Sequence, residues 1–319
     1  MSGSRYDKES AGTIQMEAYT DFAQVYDELM DDTPYEEWCG FLMELFRKYG
    51  VDDISKNDRC VINDNDVINR NLSQERNTVL DLGCGTGTLT QMFARKGYDV
   101  IGVDNAQEML QIAMEKSERA GLSILYLLQD MREFELYGTV GAVVSVCDSL
   151  NYLLEEADIV QTFRQVNNYL YPQGIFIFDF NTVHKYADVI GDATIAENRE
   201  DCSFIWENYY HEEQEINEYD LTVFVAERRS ASGAGGMDAD QVQPDEDSAQ
   251  GVLFRRFQEV HYQRGYRLEQ MRGLLERAGL DFVEAFDADT HKEVTAESER
   301  IYVVARKGAD TAANQKVER

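Results

Sequence analysis

From Thr78 onward, short apolar runs alternate with amphipathic segments, and that alternation predicts a parallel sheet covered by helices on both faces. Strands are expected at 78–82, 99–103, 124–128, 141–147 and 174–180, with helices near 87–96, 106–119 and 155–170 between them. The third helix carries Ile159, Phe163, Val166 and Leu170 on one stripe and stops before a Pro172-Gln173-Gly174 turn. Upstream, Trp38, Phe41, Leu42, Leu45, Phe46 and Tyr49 follow helical spacing, and Gly50 is placed to end that helix. Thr33-Pro34-Tyr35-Glu36 reads as its capping box, with Pro34 at the first helical position. After the fifth strand the texture changes. Segments 204–210, 221–226 and 253–262 are aromatic and β-branched with partial alternation, as in antiparallel strands inserted into the domain. The first pattern resumes with a helix at 267–278, with Gly279 as its cap, and strands at 281–286 and 300–306.

These elements divide the chain into a frayed N-terminus (1–15), a helical cap with a polar loop (16–77), a core (78–182), an insertion (183–262), a resumed core (263–307) and a polar tail (308–319). Within the insertion, residues 230–251 are rich in Gly, Ser and acids and are expected to form a mobile loop. With 319 residues, 43% hydrophobic and 28% charged, a folded α/β protein fits and a fibre or a disordered chain does not. The formal charge of −30 repels phosphate backbones and anionic lipids, so neither nucleic acid nor membrane is an expected partner. No apolar run has membrane-spanning length, and no secretory leader is seen, which points to the cytoplasm. Five scattered cysteines without a C-x-x-C pair suggest reduced thiols rather than disulfides or a metal site. A homodimer is left open.

The chemistry concentrates where strands end. Val79-Leu80-Asp81-Leu82-Gly83-Cys84-Gly85-Thr86-Gly87-Thr88 runs an apolar strand into three alternate glycines at a helix start, where backbone can approach a ligand. A dinucleotide fingerprint beginning at Gly83 would require glycine at position 88, which is threonine, and no triphosphate-binding loop is present. One βα unit later, Val100-Ile101-Gly102-Val103-Asp104 ends in a carboxylate able to accept both hydroxyls of a ribose. Asp130, after the third strand, is placed to accept from an adenine amino group. Three strand ends thus converge on one adenosine.

On these residues, and on the DLGCGTGTL string above all, the chain resembles class I S-adenosylmethionine-dependent methyltransferases over residues 78–182 and 253–306. The resemblance implies a Rossmann-like, doubly wound seven-stranded sheet whose last strand, Arg300 to Arg306, is antiparallel, with the β insertion after the fifth strand. It implies S-adenosylmethionine as cofactor and S-adenosylhomocysteine as product. Gly83, Cys84, Gly85 and Gly87 would pass the methionine part, with Asp81 beneath its amino group. Asp104 would hold the ribose, Asn105 would join the cofactor site beside it, Met109 would pack on the adenosine, and Asp130 with Met131 would frame the adenine. Tyr26 would close the pocket over the sulfonium, and Cys147 and Asp148 would complete it. The Tyr19/Phe22/Tyr26 segment and the insertion resemble the small-molecule N- and O-methyltransferase branch, which implies a small-molecule acceptor.

Methyl transfer is an in-line displacement that needs alignment, water exclusion and sometimes a base. Cys147-Asp148-Ser149-Leu150-Asn151-Tyr152, after the fourth strand, would face the transferred methyl, making Asn151 and Tyr152 catalytic candidates. The [DN]-P-P-[YF] string of nucleobase amino methyltransferases is absent there. His261, on an insertion strand, is the first choice of general base, although a cross-strand role fits the same position. Two other readings stay open: a binding module that retains S-adenosylmethionine without transferring its methyl, and an NAD-dependent oxidoreductase.

Overall fold

The computed structural model describes residues 19, 22–51, 75–227 and 252–308. The expected mobile loop at 230–251, the N-terminus at 1–15, most of the polar loop and all but the start of the tail lie outside the described residues.

The core is a seven-stranded sheet. In chain order its strands are β1 (Thr78–Leu82), β2 (Asp99–Asp104), β3 (Leu125–Leu128), β4 (Val140–Ser145), β5 (Leu170–Asn181), and then β10 (Leu280–Asp287) and β11 (Arg300–Lys307) after the insertion. They lie in the order β3-β2-β1-β4-β5-β11-β10, with β11 antiparallel to both its neighbours. The expected sheet and its reversed last strand are therefore both present.

Alternation along the central strands separates two cores. Leu80, Val143 and Phe176 face α5 (Glu156–Tyr169) and α6 (Leu268–Arg277), where Phe163 and Leu275 are buried. Val79, Val144 and Ile177 face α2 (Tyr35–Tyr49) and α3 (Thr88–Arg95), where Phe46 and Phe93 are buried. Burial on both faces explains why these strands read as continuous apolar runs. α4 (Gln107–Ala120) connects β2 to β3.

The insertion is a four-stranded antiparallel sheet in the order β6 (Thr194–Asn198), β7 (Cys202–His211), β8 (Ile216–Ala226) and β9 (Phe254–Arg264). The seven-residue α1 (Ala23–Leu29) is wedged between this sheet and the core. Val25 packs on Leu221 and Val223 of the insertion, while Ala23 packs on Ala106 and Met109 beside α4.

Several expectations change. The capping box at Thr33 does not form: α2 starts at Tyr35 with Pro34 as its N-cap, so Thr33 lies one residue too early and its hydroxyl turns to Met30 Sδ at 3.9 Å. Glu36 and Glu37 in the first turn still complement the helix dipole, and Gly50 ends α2 in the left-handed conformation as expected. β5 begins at Leu170, so the Pro172–Gly174 turn lies inside its first stretch, where the register with β4 shifts. β6 is an addition; all five of its residues are exposed, so no apolar alternation marks it. The four described cysteines are free; Cys39 and Cys202 are buried, and Cys84 and Cys147 are partly so.

Candidate active site

A cavity of about 490 Å³ opens at the carboxyl ends of β1, β2, β3 and β4, under α1. That size suits a small-molecule ligand, and its place is where open α/β sheets bind one. Gly83, Cys84, Gly85, Asp81, Asp104, Asn105, Met109, Asp130, Met131, Cys147, Tyr26 and Tyr152 all line it. The structure thus brings together most of the residues singled out from the sequence.

The glycine loop is hung on β2, since the N–H groups of Gly83 and Cys84 both donate to Val103 O. Gly85 has φ +53°, and a Cβ built there meets nothing within 4 Å, so its bare backbone faces open space. Gly87 does not line the cavity. A Cβ there would lie 2.5 Å from Tyr126 Oη, so this glycine serves helix packing instead of ligand approach.

Asp104 accepts from the N–H of Ala106 at one oxygen and from the N–H of Gly85 at the other, each at 2.8 Å. A carboxylate oxygen has two lone pairs, so each retains one for a hydroxyl in the cavity. Burial raises the Asp104 pKa, opposed by these N–H bonds. Asp81 is 3% exposed and accepts from Thr90 Oγ1 at 2.5 Å. Its burial pushes the carboxyl up to about 7. Asp130 is gripped by the Arg132 guanidinium, with Nη2 2.5 Å from Oδ2, and Arg132 also reaches Asp158. Burial alone would raise the Asp130 pKa, but the Arg132 bonds outweigh it and hold it low.

Two residues expected at the cavity, Asp148 and Asn151, are turned away. Cys147 and Asp148 adopt left-handed backbone, φ +64° and +54°, an arrangement that costs non-glycine residues energy and needs outside support. Asp179, fully buried on β5, supplies that support by accepting both N–H groups, at 3.0 and 2.8 Å. The reversal swings the Asp148 carboxylate to Gln263 Nε2, 2.7 Å away, and toward Arg300. Asn151 donates to the carbonyls of Asn181 and Arg264 and accepts from Asn181 N–H. Its amide is spent tying the turn to β5 and β9, which leaves it no catalytic part.

His261 is 1% exposed and lies behind the cavity wall. Its Nδ1 is 3.1 Å from the hydroxyl of Tyr152, which does line the cavity. That hydroxyl also meets Tyr19 Oη at 2.6 Å and Tyr219 Oη at 2.7 Å. Glu259 faces His261 Nε2 at 3.3 Å. Glu259 and Tyr219 were not singled out from the sequence. The period of two along β9 puts 259 and 261 on one face, a signal that was available.

The gap above the glycine loop is closed by α1. Asp27 accepts from Thr86 Oγ1 and pairs with Lys116, both at 2.6 Å, so α1 is tied to the loop and to α4. Tyr26 lies over the cavity with its hydroxyl 3.9 Å from Cys147 Sγ. Among the described residues no cluster of three or more metal-binding side chains occurs, and no helix is long and apolar enough to cross a membrane.

Comparison with known proteins accords with this geometry. The family described as "Methyltransferase domain" matches residues 79–174. The chain is 32% identical over 290 residues to "Putative methyltransferase YqeM" of Bacillus subtilis, covering 91% of this chain and 97% of that one. Over a shorter stretch of 110 residues, 34% of this chain, it is 29% identical to a dTDP-3-amino-3,4,6-trideoxy-alpha-D-glucopyranose N,N-dimethyltransferase of Streptomyces venezuelae. Its fold superposes on an S-adenosylmethionine-dependent methyltransferase of Clostridium acetobutylicum with a TM-score of 0.71 at 25% identity, covering 91% of this chain and 99% of that one. With the glycine loop, the strand-end carboxylates and the full-length relative all in agreement, the chain belongs to the S-adenosylmethionine-dependent methyltransferases.

Proposed function

We propose that this enzyme transfers a methyl group to a nitrogen or oxygen of a small-molecule acceptor, with S-adenosylmethionine held in the cavity beneath α1. The observation that carries this reading is the joint placement of Gly85, Asp104 and Asp130 around one cavity whose other wall carries the Tyr152 hydroxyl. The residues fit the cofactor: Gly85 leaves open backbone, Asp104 keeps two lone pairs for a ribose, and Met109 and Met131 supply soft apolar surface. When bound, S-adenosylmethionine supplies a methyl carbon made electrophilic by a positively charged sulfur.

The chain's own residues do the rest. Tyr26 and Tyr19 present aromatic rings at the cavity, 5.9 Å apart and edge to face, in a position to exclude water and to attract a cation. Asp130 keeps acceptor capacity on oxygens held in place by Arg132, so an adenine amino group would meet a preset partner. The aminosugar dimethyltransferase similar to part of this chain acts on a small molecule, which supports an acceptor of that class.

Calorimetric titration of the full chain with S-adenosylhomocysteine, with NAD as control, tests the reading. Saturable binding of the former and none of the latter is expected. Failure of a folded sample to bind S-adenosylhomocysteine would overturn it. A screen of small amines and hydroxyl compounds with methyl-labelled cofactor would then show transfer, and would separate an enzyme from a mere binding module.

Asp81 gives a second expected result. In the free protein its carboxyl has a pKa of about 7, raised by burial and, more weakly, by the charge on Asp104. A ligand ammonium settling beside it favours the ionised form, so binding below that pH must release a proton. Affinity for S-adenosylhomocysteine should therefore fall as pH drops below about 7, by up to about tenfold per unit, and be flat above. The same titration in Asp81→Asn should be level across that range; an unchanged slope would place the ammonium elsewhere.

A further inference from the structure

The hydrogen bonds behind Tyr152 have a direction. Glu259 accepts from the N–H of Tyr19 at 2.8 Å and from the N–H of Phe22 at 3.0 Å, and the same carboxylate faces His261 Nε2. Burial alone would raise the Glu259 pKa, but the imidazole opposite and these N–H donors outweigh it and lower it. Glu259 is thus an acceptor-only group, and the tautomer that suits it puts hydrogen on the imidazole nitrogen 3.3 Å away. In that tautomer Nδ1 is bare and accepts the Tyr152 hydroxyl proton, 3.1 Å away. The lone pairs of Tyr152 Oη take the hydroxyl protons of Tyr19 and Tyr219, or a proton from whatever stands in the cavity. The imidazole is locked in this setting, stacked on Tyr219 at 4.9 Å and 8° and edge-on to Tyr19 at 5.0 Å.

Building on the proposed function above, we propose that Tyr152, His261 and Glu259 form the proton-accepting relay of the methyl transfer, with the Tyr152 hydroxyl as the group that meets the acceptor. As the acceptor nitrogen or oxygen forms its bond to the methyl carbon, the methyl–sulfur bond breaks and its electron pair stays on sulfur. The acceptor's proton passes to Tyr152 Oη while the Tyr152 proton passes to His261 Nδ1. The products are a methylated acceptor, a neutral thioether and an imidazolium facing the Glu259 carboxylate. Charge is conserved, because the positive charge lost from sulfur reappears on the imidazole. Tyr152 is the catalytic residue. His261 receives the proton at second hand, and Glu259 is a positioning residue that sets the tautomer. Among the described residues, the ionisable groups facing the imidazole are Tyr19, Tyr152, Tyr219 and Glu259, so Glu259 supplies the carboxylate that stabilises its charged form.

Nitrogen-15 NMR of the histidine-labelled full chain, with and without S-adenosylhomocysteine at about pH 8, reads the tautomer directly. The chain has four histidines, and His261→Asn identifies the relevant signals. The expected tautomer carries its hydrogen on Nε2. Tyr152→Phe should keep that tautomer but shift the Nδ1 resonance, and Glu259→Gln should mix the two tautomers. In a turnover assay with catechol and benzylamine as probe acceptors, Tyr152→Phe and His261→Asn should each lower kcat by about a hundredfold or more. S-adenosylhomocysteine affinity of His261→Asn should stay within about threefold of the original, because that side chain lies outside the cavity wall. A ring protonated on Nδ1, or a Tyr152→Phe variant with undiminished kcat, would overturn the relay. Loss of S-adenosylhomocysteine binding in the unaltered protein would instead overturn the cofactor reading, and the tautomer of the unliganded chain would still decide the relay.

Discussion

Asp104→Ala is expected to weaken S-adenosylhomocysteine binding by about a hundredfold to ten-thousandfold. Two hydroxyls of a ribose would use the two remaining lone pairs of this carboxylate, and a hydrogen bond to a charged group contributes roughly 1.5–3 kcal/mol. Two such bonds amount to about 3–6 kcal/mol, and every 1.4 kcal/mol is about tenfold in affinity. The variant also loses the acceptor for Gly85 N–H and Ala106 N–H, so the glycine loop would lose its link to the end of β2. Asp104→Asn keeps one acceptor oxygen and should fall between the two. Calorimetry on samples with matched thermal transitions measures this; a loss under tenfold for the alanine variant would place the ribose elsewhere.

The second large effect is on the scaffold. Asp179→Ala leaves the N–H groups of Cys147 and Asp148 without their acceptor while both residues remain in left-handed backbone. It also strips Arg300, itself only 18% exposed, of the Asp179 carboxylate 3.8 Å away. Removing one partner of a buried pair costs about 3–5 kcal/mol, which for a chain of this size lowers Tm by on the order of 10 °C. The double variant Asp179→Ala/Arg300→Met should recover part of that loss, since the guanidinium otherwise stays largely buried with one carboxylate, Asp148, in place of two. Scanning calorimetry of both proteins tests the pair. Equal transitions in Asp179→Ala and the original would show that the turn holds its shape unaided. Because Cys147 lines the cavity, the single variant should also bind S-adenosylhomocysteine more weakly.

How far the sequence could be read follows from which forces are local. The seven-stranded sheet was legible because burial on both faces leaves continuous apolar runs, and Gly85, Asp104 and Asp130 were legible because strand ends fix where side chains emerge. Asp148 and Asn151 were misplaced for the complementary reason. Their orientation depends on a left-handed reversal supported by Asp179, 31 residues from Asp148, and nothing between residues 147 and 152 announces it. Asp179 itself left a trace, an acid between Phe178 and Phe180 in an otherwise apolar strand. α1 is only two turns long, too short for helical spacing to stand out, and its place is set by contacts with the insertion and α4. His261 was found as a base candidate but not its route to the cavity, because Tyr152 and Tyr19 reach it from distant parts of the chain.

The Glu259 carboxylate that faces His261 is also what holds the backbone of Tyr19 and Phe22. Displacing Tyr19 and Phe22 would take those N–H groups off Glu259 and Tyr19 Oη off Tyr152. Under the proposed relay, one carboxylate both holds the backbone of the cavity-lining Tyr19 and sets the tautomer of the imidazole behind it.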